Sequence, residues 1–392
     1  MNNIRYKFQQ FFFILLGIFI PTSIAITNVL IIAIVLCWLL EGNWKYKIYS
    51  IKESKWMLCI FALILLYVFG LLWGENHLNA GWQFQRLALL LTFPIFTTIE
   101  INQKTIRRAV LAFLCTAFIS ALIALSININ LILPLGNYIE FIDISWRNSA
   151  FITYNYHNVI LALAANICIY ILFEMKSNYN YIFLIFLLTF VMSIFTETGR
   201  AGQVIFTLST FFYIVYFNKK NIIKIFSLLL LLGSFQFLAY TYSSVYKYRV
   251  DTLSNVIKNN GDLGVETDIR YVFFRQTIKK IFNKPILGHG TGSFGTIFKE
   301  TVNSGHFFNK HTTPHNQYLY VWFELGILGL VLLILIFYYQ IRDLSIKKYG
   351  VQRILLPFSF AFLMMIDSYF FIFILTICYI FLFTIYSKYQ QE

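Results

Sequence analysis

Apolar stretches long enough to cross a lipid bilayer recur along most of the chain, and this feature limits the fold more than any other. Of the 392 residues, 59% are hydrophobic and 12% are charged, whereas a soluble domain carries about 25% charged residues. A crossing needs roughly 20 apolar residues, and backbone inside lipid must satisfy its own hydrogen bonds. The sequence therefore predicts an all-α, polytopic membrane protein.

Twelve transmembrane helices are predicted. The first two form a hairpin within residues 11–40, because that apolar run is too long for one crossing and Pro21 interrupts it. The other ten are expected near 55–73, 84–99, 106–128, 157–173, 180–198, 201–217, 221–241, 315–340, 351–368 and 370–387.

These helices form one membrane domain with a single large insertion. Helices 1–9 lie within residues 1–241, a hydrophilic loop occupies 242–314, and helices 10–12 lie within 315–392. Inside the loop, apolar residues at helical spacing predict an amphipathic helix over 268–282. The glycine-rich run after this helix is predicted to be flexible.

The distribution of positive charge predicts the orientation. Eighteen of the 31 Lys and Arg residues fall in segments that the alternation of spans places on one side, which the positive-inside rule assigns to the cytoplasm. The net charge of +14 is therefore interpreted as a topology signal and not as a nucleic-acid-binding feature. We expect both termini in the cytoplasm and the loop 242–314 in the periplasm.

The positions of the histidines suggest chemistry on the outer face of the membrane. This topology places all six histidines there: His77, His157, His289, His306, His311 and His315. His315, between Pro314 and Asn316 at the start of a span, is a candidate general base, although a histidine at a helix entry can be purely structural. A metal site from His306, His311 and His315 is disfavoured, because Pro314 argues against a shared helical face and no nearby carboxylate or thiolate completes it.

Arginines near the outer boundary predict an anionic substrate. Arg200 lies between two spans with almost no loop, where a charge is costly and usually functional. Arg147 stands in an outer loop, Arg270 and Arg275 lie on the predicted loop helix, and Arg86 is interpreted as an interfacial anchor. The guanidinium group grips phosphate oxygens in a bidentate manner, so the set fits a lipid-linked phosphate or diphosphate.

Two acidic residues fall inside or near spans. Glu324 is expected either to pair with a buried arginine or to sit in a hydrated cavity. Asp367 is expected either to pair with a site arginine or to orient His315. All five cysteines fall in apolar segments, where they are interpreted as small buried hydrophobic residues.

These segments resemble the O-antigen ligase and polymerase superfamily. The resemblance is carried by the run Pro-Ile-Leu-Gly-His-Gly-Thr-Gly-Ser-Phe at 285–294, by His-Asn-Gln-Tyr-Leu at 315–319, and by Glu-Leu-Gly-Ile-Leu-Gly at 324–329. It extends to Arg147, to Arg200 in Thr-Gly-Arg-Ala, to Arg270 and to Asp367. The segment Glu197-Thr198-Gly199 before Arg200 departs from the pattern, since many members have a hydroxyl residue directly before this arginine.

The resemblance implies a metal-independent, inverting glycosyltransferase of the bacterial inner membrane. It would transfer a glycan from undecaprenyl diphosphate to a sugar hydroxyl of lipid A–core, with membrane lipids as its surroundings, no nucleic acid and no cofactor. The catalytic residues would be His315, Arg200 and Arg270, with His315 as the base. Arg147, Arg275 and Asp367 would bind substrate.

Two other functions remain open. A polymerase that extends the glycan on its carrier lipid has a similar sequence pattern. A transporter of lipid-linked sugar predicts charged residues near mid-membrane and internal repeats, and the charges here concentrate at the outer boundary. The ligase hypothesis further requires that Arg200 and His315 act at one periplasmic site.

Overall fold

A computed structural model of the protein describes residues 2–74, 80–128, 150–174, 180–258, 269–301, 313–346 and 350–389. All regular secondary structure in these ranges is helical, which confirms the all-α prediction. The helices are α1 (Asn2–Phe19), α2 (Ile24–Glu41), α3 (Trp44–Glu53), α4 (Lys55–Phe69), α5 (Ala80–Leu90), α6 (Thr92–Thr98), α7 (Gln103–Asn128), α8 (Tyr154–Glu174), α9 (Asn180–Thr196), α10 (Arg200–Phe217), α11 (Ile222–Tyr242), α12 (Ser244–Lys258), α13 (Ile269–Ile281), α14 (Phe294–Thr301), α15 (Gln317–Ser345), α16 (Gly350–Ile366) and α17 (Phe373–Lys388).

Five of these helices are long and apolar enough to cross a membrane: α2, α7, α8 from Tyr154 to Phe173, α11 and α15. Shorter apolar helices lie at Lys55–Phe69, Asn180–Thr196, Arg353–Ile366 and Phe373–Lys388. Membrane-spanning character is therefore supported, whereas the number of twelve spans and the periplasmic position of the loop stay predictions.

The chain forms two compact units, one of residues 1–37 with 101–258 and one of 38–100 with 259–392. In the first unit, α8 packs against α9 and α10, and α7 packs against α1 and α9. The rings of Phe118 on α7 and Phe186 on α9 stack at 4.4 Å. α8 is largely buried, and α11 has no buried residue.

In the second unit, α15 packs against α4, α16 and α13. Its aromatic core surrounds Phe93, whose ring lies 5.6 Å from that of Trp56 and 5.8 Å from that of Tyr379. Stacked and edge-on aromatic pairs of this kind add to the stabilisation from buried area.

Local sequence explains where several helices end. The predicted hairpin is confirmed, because α1 ends at Phe19 and α2 begins at Ile24, on either side of Pro21. The prediction of a single helix near 84–99 is wrong, because this segment is divided at Leu91 into α5 and α6. Pro94 has no N–H to donate to the Leu90 carbonyl and its ring crowds that oxygen.

The loop region contains more helix than the sequence indicated. The predicted loop helix is present as α13, and α12 and α14 occur in addition. These two were missed because each is short or mostly polar, so that it lacks a long hydrophobic period.

Candidate functional site

In the second unit, the backbone before α15 holds His315 in an uncommon conformation. His315 has φ 51°, in the left-handed region, which is unfavourable by about 1–2 kcal/mol for an L-residue. Asn316 follows as the helix cap, and its side chain accepts a hydrogen bond from the Leu319 N–H at 3.0 Å. Proline before the histidine and the cap after it thus define the direction of the imidazole.

His315 contacts Asp367 at the end of α16. His315 Nδ1 lies 3.1 Å from Asp367 Oδ1, and the two side chains are 23% and 20% exposed. The same carboxylate oxygen accepts from the Ser368 N–H at 2.7 Å, and the Phe273 ring meets the imidazole edge-on at 5.5 Å. When Nδ1 donates to the carboxylate, Nε2 keeps its lone pair for a proton.

The helix pairing explains why these residues meet. α15 and α16 are consecutive packed helices, and the start of the first lies beside the end of the second. The Asn316 amide donates to the Met365 carbonyl at 3.2 Å, and the Tyr318 hydroxyl donates to the Ala361 carbonyl at 2.8 Å. Of the two alternatives for Asp367, the geometry therefore favours contact with His315.

The glycine-rich run after α13 is a fixed segment, so the prediction that it is flexible is wrong. α15 is broken at Gly326, with φ 67° and ψ −166°. The Ile327 N–H donates to the Pro285 carbonyl at 3.0 Å, where a regular helix would bond it to Phe323. The Phe323 carbonyl accepts instead from the His289 N–H at 2.8 Å. Hydrogen bonds between the break in α15 and the glycine-rich run thus replace the backbone hydrogen bonds that the helix loses at the break.

The same segment surrounds a buried carboxylate. Glu324 is fully buried, and its Oε1 accepts from the Gly292 N–H at 3.0 Å. Arg86 interacts electrostatically with Glu324, and its guanidinium lies over the Trp82 ring at 3.1 Å. Of the two expectations for Glu324, this electrostatic interaction favours the one in which an arginine lies nearby.

Loss of this carboxylate should destabilise the second unit. Glu324→Leu leaves the buried Gly292 N–H without its acceptor, and a buried donor left unsatisfied costs about 1–3 kcal/mol. It also removes the electrostatic interaction with Arg86. We expect a lower thermal unfolding temperature in detergent, with Glu324→Gln less affected because an amide oxygen still accepts. Thr189→Ala, at a partly exposed position on α9 in the other unit, is the control. A Leu variant as stable as the wild type would contradict this.

In the first unit, Arg200 begins α10 directly after a tight corner. α9 ends at Thr196 and Gly199 precedes the first turn of α10. A Cβ at Gly199 would lie 2.7 Å from that of Asn158, and one at Gly202 would overlap the Asn158 carbonyl. The two glycines therefore let the corner approach α8, and Arg200 is half-buried between them.

A buried polar network lies beneath this corner. His157 Nδ1 is 2.7 Å from Glu197 Oε1, and His157 Nε2 is 2.8 Å from Ser120 Oγ. The Ser193 hydroxyl also donates to Glu197 Oε1 at 2.8 Å. Sequence reasoning missed this pairing, although a histidine and a glutamate near the ends of two apolar spans are expected to seek partners.

The remaining predicted residues are placed only in part. Arg275 is exposed on α13. Arg270 lies on the same helix, but its side chain falls outside the described part of the chain. Arg147, and the histidines 77, 306 and 311, also lie outside the described residues. The catalytic and binding roles of all these residues stay predictions.

Comparison with known proteins bears on the middle of the chain. Residues 182–334 match a family described as O-antigen ligase, a segment that includes Arg200, Arg270, Arg275 and His315 but neither Arg147 nor Asp367. Members of this family are glycosyltransferase-like enzymes that act on O-antigen. No curated protein matches the chain. The family match over residues 182–334 therefore agrees with the resemblance found in the sequence, and this part of the chain is similar to the O-antigen ligase family.

Proposed function

We propose that the protein is an O-antigen ligase, which transfers a glycan from undecaprenyl diphosphate to a sugar hydroxyl of lipid A–core on the periplasmic face of the inner membrane. The hydrogen bond between His315 Nδ1 and Asp367 Oδ1 carries this proposal. It leaves Nε2 of a partly exposed imidazole able to accept a proton, as a general base requires.

The proposed reaction is a single displacement. His315 Nε2 accepts the proton of the acceptor hydroxyl while the hydroxyl oxygen attacks the anomeric carbon of the glycan. The bond between that carbon and the diphosphate oxygen breaks, and its electron pair leaves with the carrier lipid. Attack from the face opposite the diphosphate inverts the anomeric configuration.

The arginines supply the positive charge that this leaving group needs. Arg200 and Arg270 stabilise the charge that develops on the departing diphosphate, and Arg147 and Arg275 bind the donor. Guanidinium groups suit this role because they remain charged and donate several hydrogen bonds in a fixed plane. The proposed reaction therefore uses no metal ion or cofactor. Asp367 acts on the acceptor side by orienting His315.

Reconstitution tests the proposal directly. Purified protein is mixed with undecaprenyl-diphosphate-linked glycan and with lipopolysaccharide that carries lipid A–core but no O-antigen, in the presence of a chelator. We expect glycan attached to the core and undecaprenyl diphosphate released in equal amounts. Protein without the acceptor is the control. Longer glycans on the carrier lipid, with none on the core, would favour the polymerase and refute the ligase.

A further inference from the structure

We infer that the buried pair His157–Glu197 positions Arg200, and so controls how strongly the protein holds the diphosphate of its donor. This inference rests on the proposed role of Arg200 as a diphosphate-binding group. His157 and Glu197 themselves touch no substrate, because both side chains are fully buried. Their effect must reach the donor through the corner between α9 and α10.

The pair joins three helices at one point. His157 belongs to α8, Ser120 to α7, and Glu197 follows the last residue of α9. His157 contacts both of the others, at 2.8 Å to Ser120 Oγ and at 2.7 Å to Glu197 Oε1. The Ser193 hydroxyl, one turn earlier on α9, donates to the same Glu197 oxygen at 2.8 Å. The carboxylate is therefore fixed from two sides.

Glu197 is connected to Arg200 by a very short segment at the corner between α9 and α10. Only Thr198 and Gly199 lie between them. On the far side of the corner, the Gln203 side-chain amide donates to the carbonyls of Ile194 and Glu197 at 3.1 and 3.3 Å. A shift of Glu197 therefore changes the path of the backbone that sets the first turn of α10, where Arg200 begins.

A direct catalytic role for the network is excluded by burial. Ser120, His157 and Glu197 have the connectivity of a serine–histidine–acid triad, but all three are fully buried. No substrate carbonyl could reach Ser120 Oγ without opening the bundle. The second carboxylate oxygen, Glu197 Oε2, is buried and has no hydrogen-bond partner among the described residues. A buried carboxylate oxygen without a hydrogen-bond partner lowers stability, and this one lies at the corner that positions Arg200.

A binding measurement tests the inference. Glu197→Gln and His157→Gln are compared with wild type for the affinity of undecaprenyl diphosphate in nanodiscs, and for KM of the donor and of the acceptor. We expect donor affinity to fall by about 10- to 100-fold, because a misplaced guanidinium loses hydrogen bonds to the charged diphosphate, with acceptor KM unchanged. The double variant should lose no more donor affinity than the worse of the two single variants, because both substitutions break the same contact between His157 and Glu197.

Two further variants separate positioning from general damage. Asn166→Leu removes the 2.9 Å hydrogen bond between Asn166 on α8 and Ser209 on α10, which joins the same two helices away from the corner. It should leave donor affinity unchanged. Ser193→Ala removes one hydrogen bond to Glu197 but keeps the pair, so it should fold and show a smaller loss. Equal loss in Asn166→Leu, or unchanged donor affinity in folded Glu197→Gln or Ser193→Ala, would overturn the inference.

The same assays distinguish this inference from the proposed function. Wild-type protein that binds undecaprenyl diphosphate through Arg200 but transfers glycan to no acceptor would refute the ligase and leave the positioning role in place. If Arg200→Ala bound the carrier as tightly as wild type, the positioning role would be overturned whatever the outcome of the transfer assay.

Discussion

Replacement of His315 by alanine is expected to lower glycan transfer to lipid A–core by about 10²- to 10⁴-fold, the usual contribution of a general base. The acceptor hydroxyl would then lose its proton to water while it attacks, without a positioned group to receive it. Donor affinity should change little, because the base acts on the acceptor. The measurement is kcat for transfer with the reconstituted protein, beside the donor KM.

The His315→Ala result needs a control from the same helix pair. Tyr318→Phe removes only the hydroxyl that donates to the Ala361 carbonyl at 2.8 Å between α15 and α16. It should retain transfer within a few-fold of wild type, although it loosens the same contact. His315→Ala protein that is correctly folded and still transfers at the wild-type rate would refute the catalytic assignment.

The left-handed backbone at His315 helps explain the expected size of this effect. A histidine with φ 51° is held there by its neighbours, and strain of this kind clusters at sites where a side chain must point in one direction. Asp367 then fixes the ring by its contact with Nδ1. Rotation of the imidazole and its tautomer are thus set before an acceptor arrives.

Much of the first unit could be predicted from the sequence because lipid leaves few choices. A long apolar run must be a helix. The turn at Pro21 and the short corner before Arg200 therefore follow from the length of each apolar run and from the single residues that interrupt it. The paired state of Glu197 and His157 could not be predicted. Their contact depends on which faces of α8 and α9 pack together. Both helices are almost uniformly apolar, so neither has a polar face that would predict this packing.

The glycine segment of the second unit shows a different limit of sequence reasoning. The backbone is conformationally permissive at Gly288, Gly290 and Gly292. A glycine-rich sequence of this kind is usually interpreted as a flexible segment. Here positive φ at all three glycines lets the backbone approach the break in α15, some thirty residues later in the sequence. The hydrogen bonds that fix the run are therefore long-range, and a local pattern could not reveal them.

Gly326→Ala is expected to prevent normal folding of the second unit. With φ 67° and ψ −166°, this residue occupies a region that is essentially restricted to glycine, and strain there costs about 1–3 kcal/mol. A Cβ would also overlap the Ile286 carbonyl and lie 2.7 Å from the Leu287 nitrogen, and overpacking adds about 1–3 kcal/mol. The Pro285–Ile327 hydrogen bond and the contact of Gly292 with Glu324 would be lost with this approach.

Gly233→Ala provides the matched comparison, because the same substitution in the middle of α11 meets nothing within 4 Å. Alanine is favoured over glycine in a helix interior by about 0.5–1 kcal/mol, so this variant should be as stable as wild type or slightly more. Both proteins are compared by the fraction that remains monodisperse in detergent after heating. Gly326→Ala protein that survives as well as Gly233→Ala would mean that the segment 285–292 can move away from α15. The hydrogen-bonded break would then be one of several arrangements of this unit and could not be what fixes the buried Glu324.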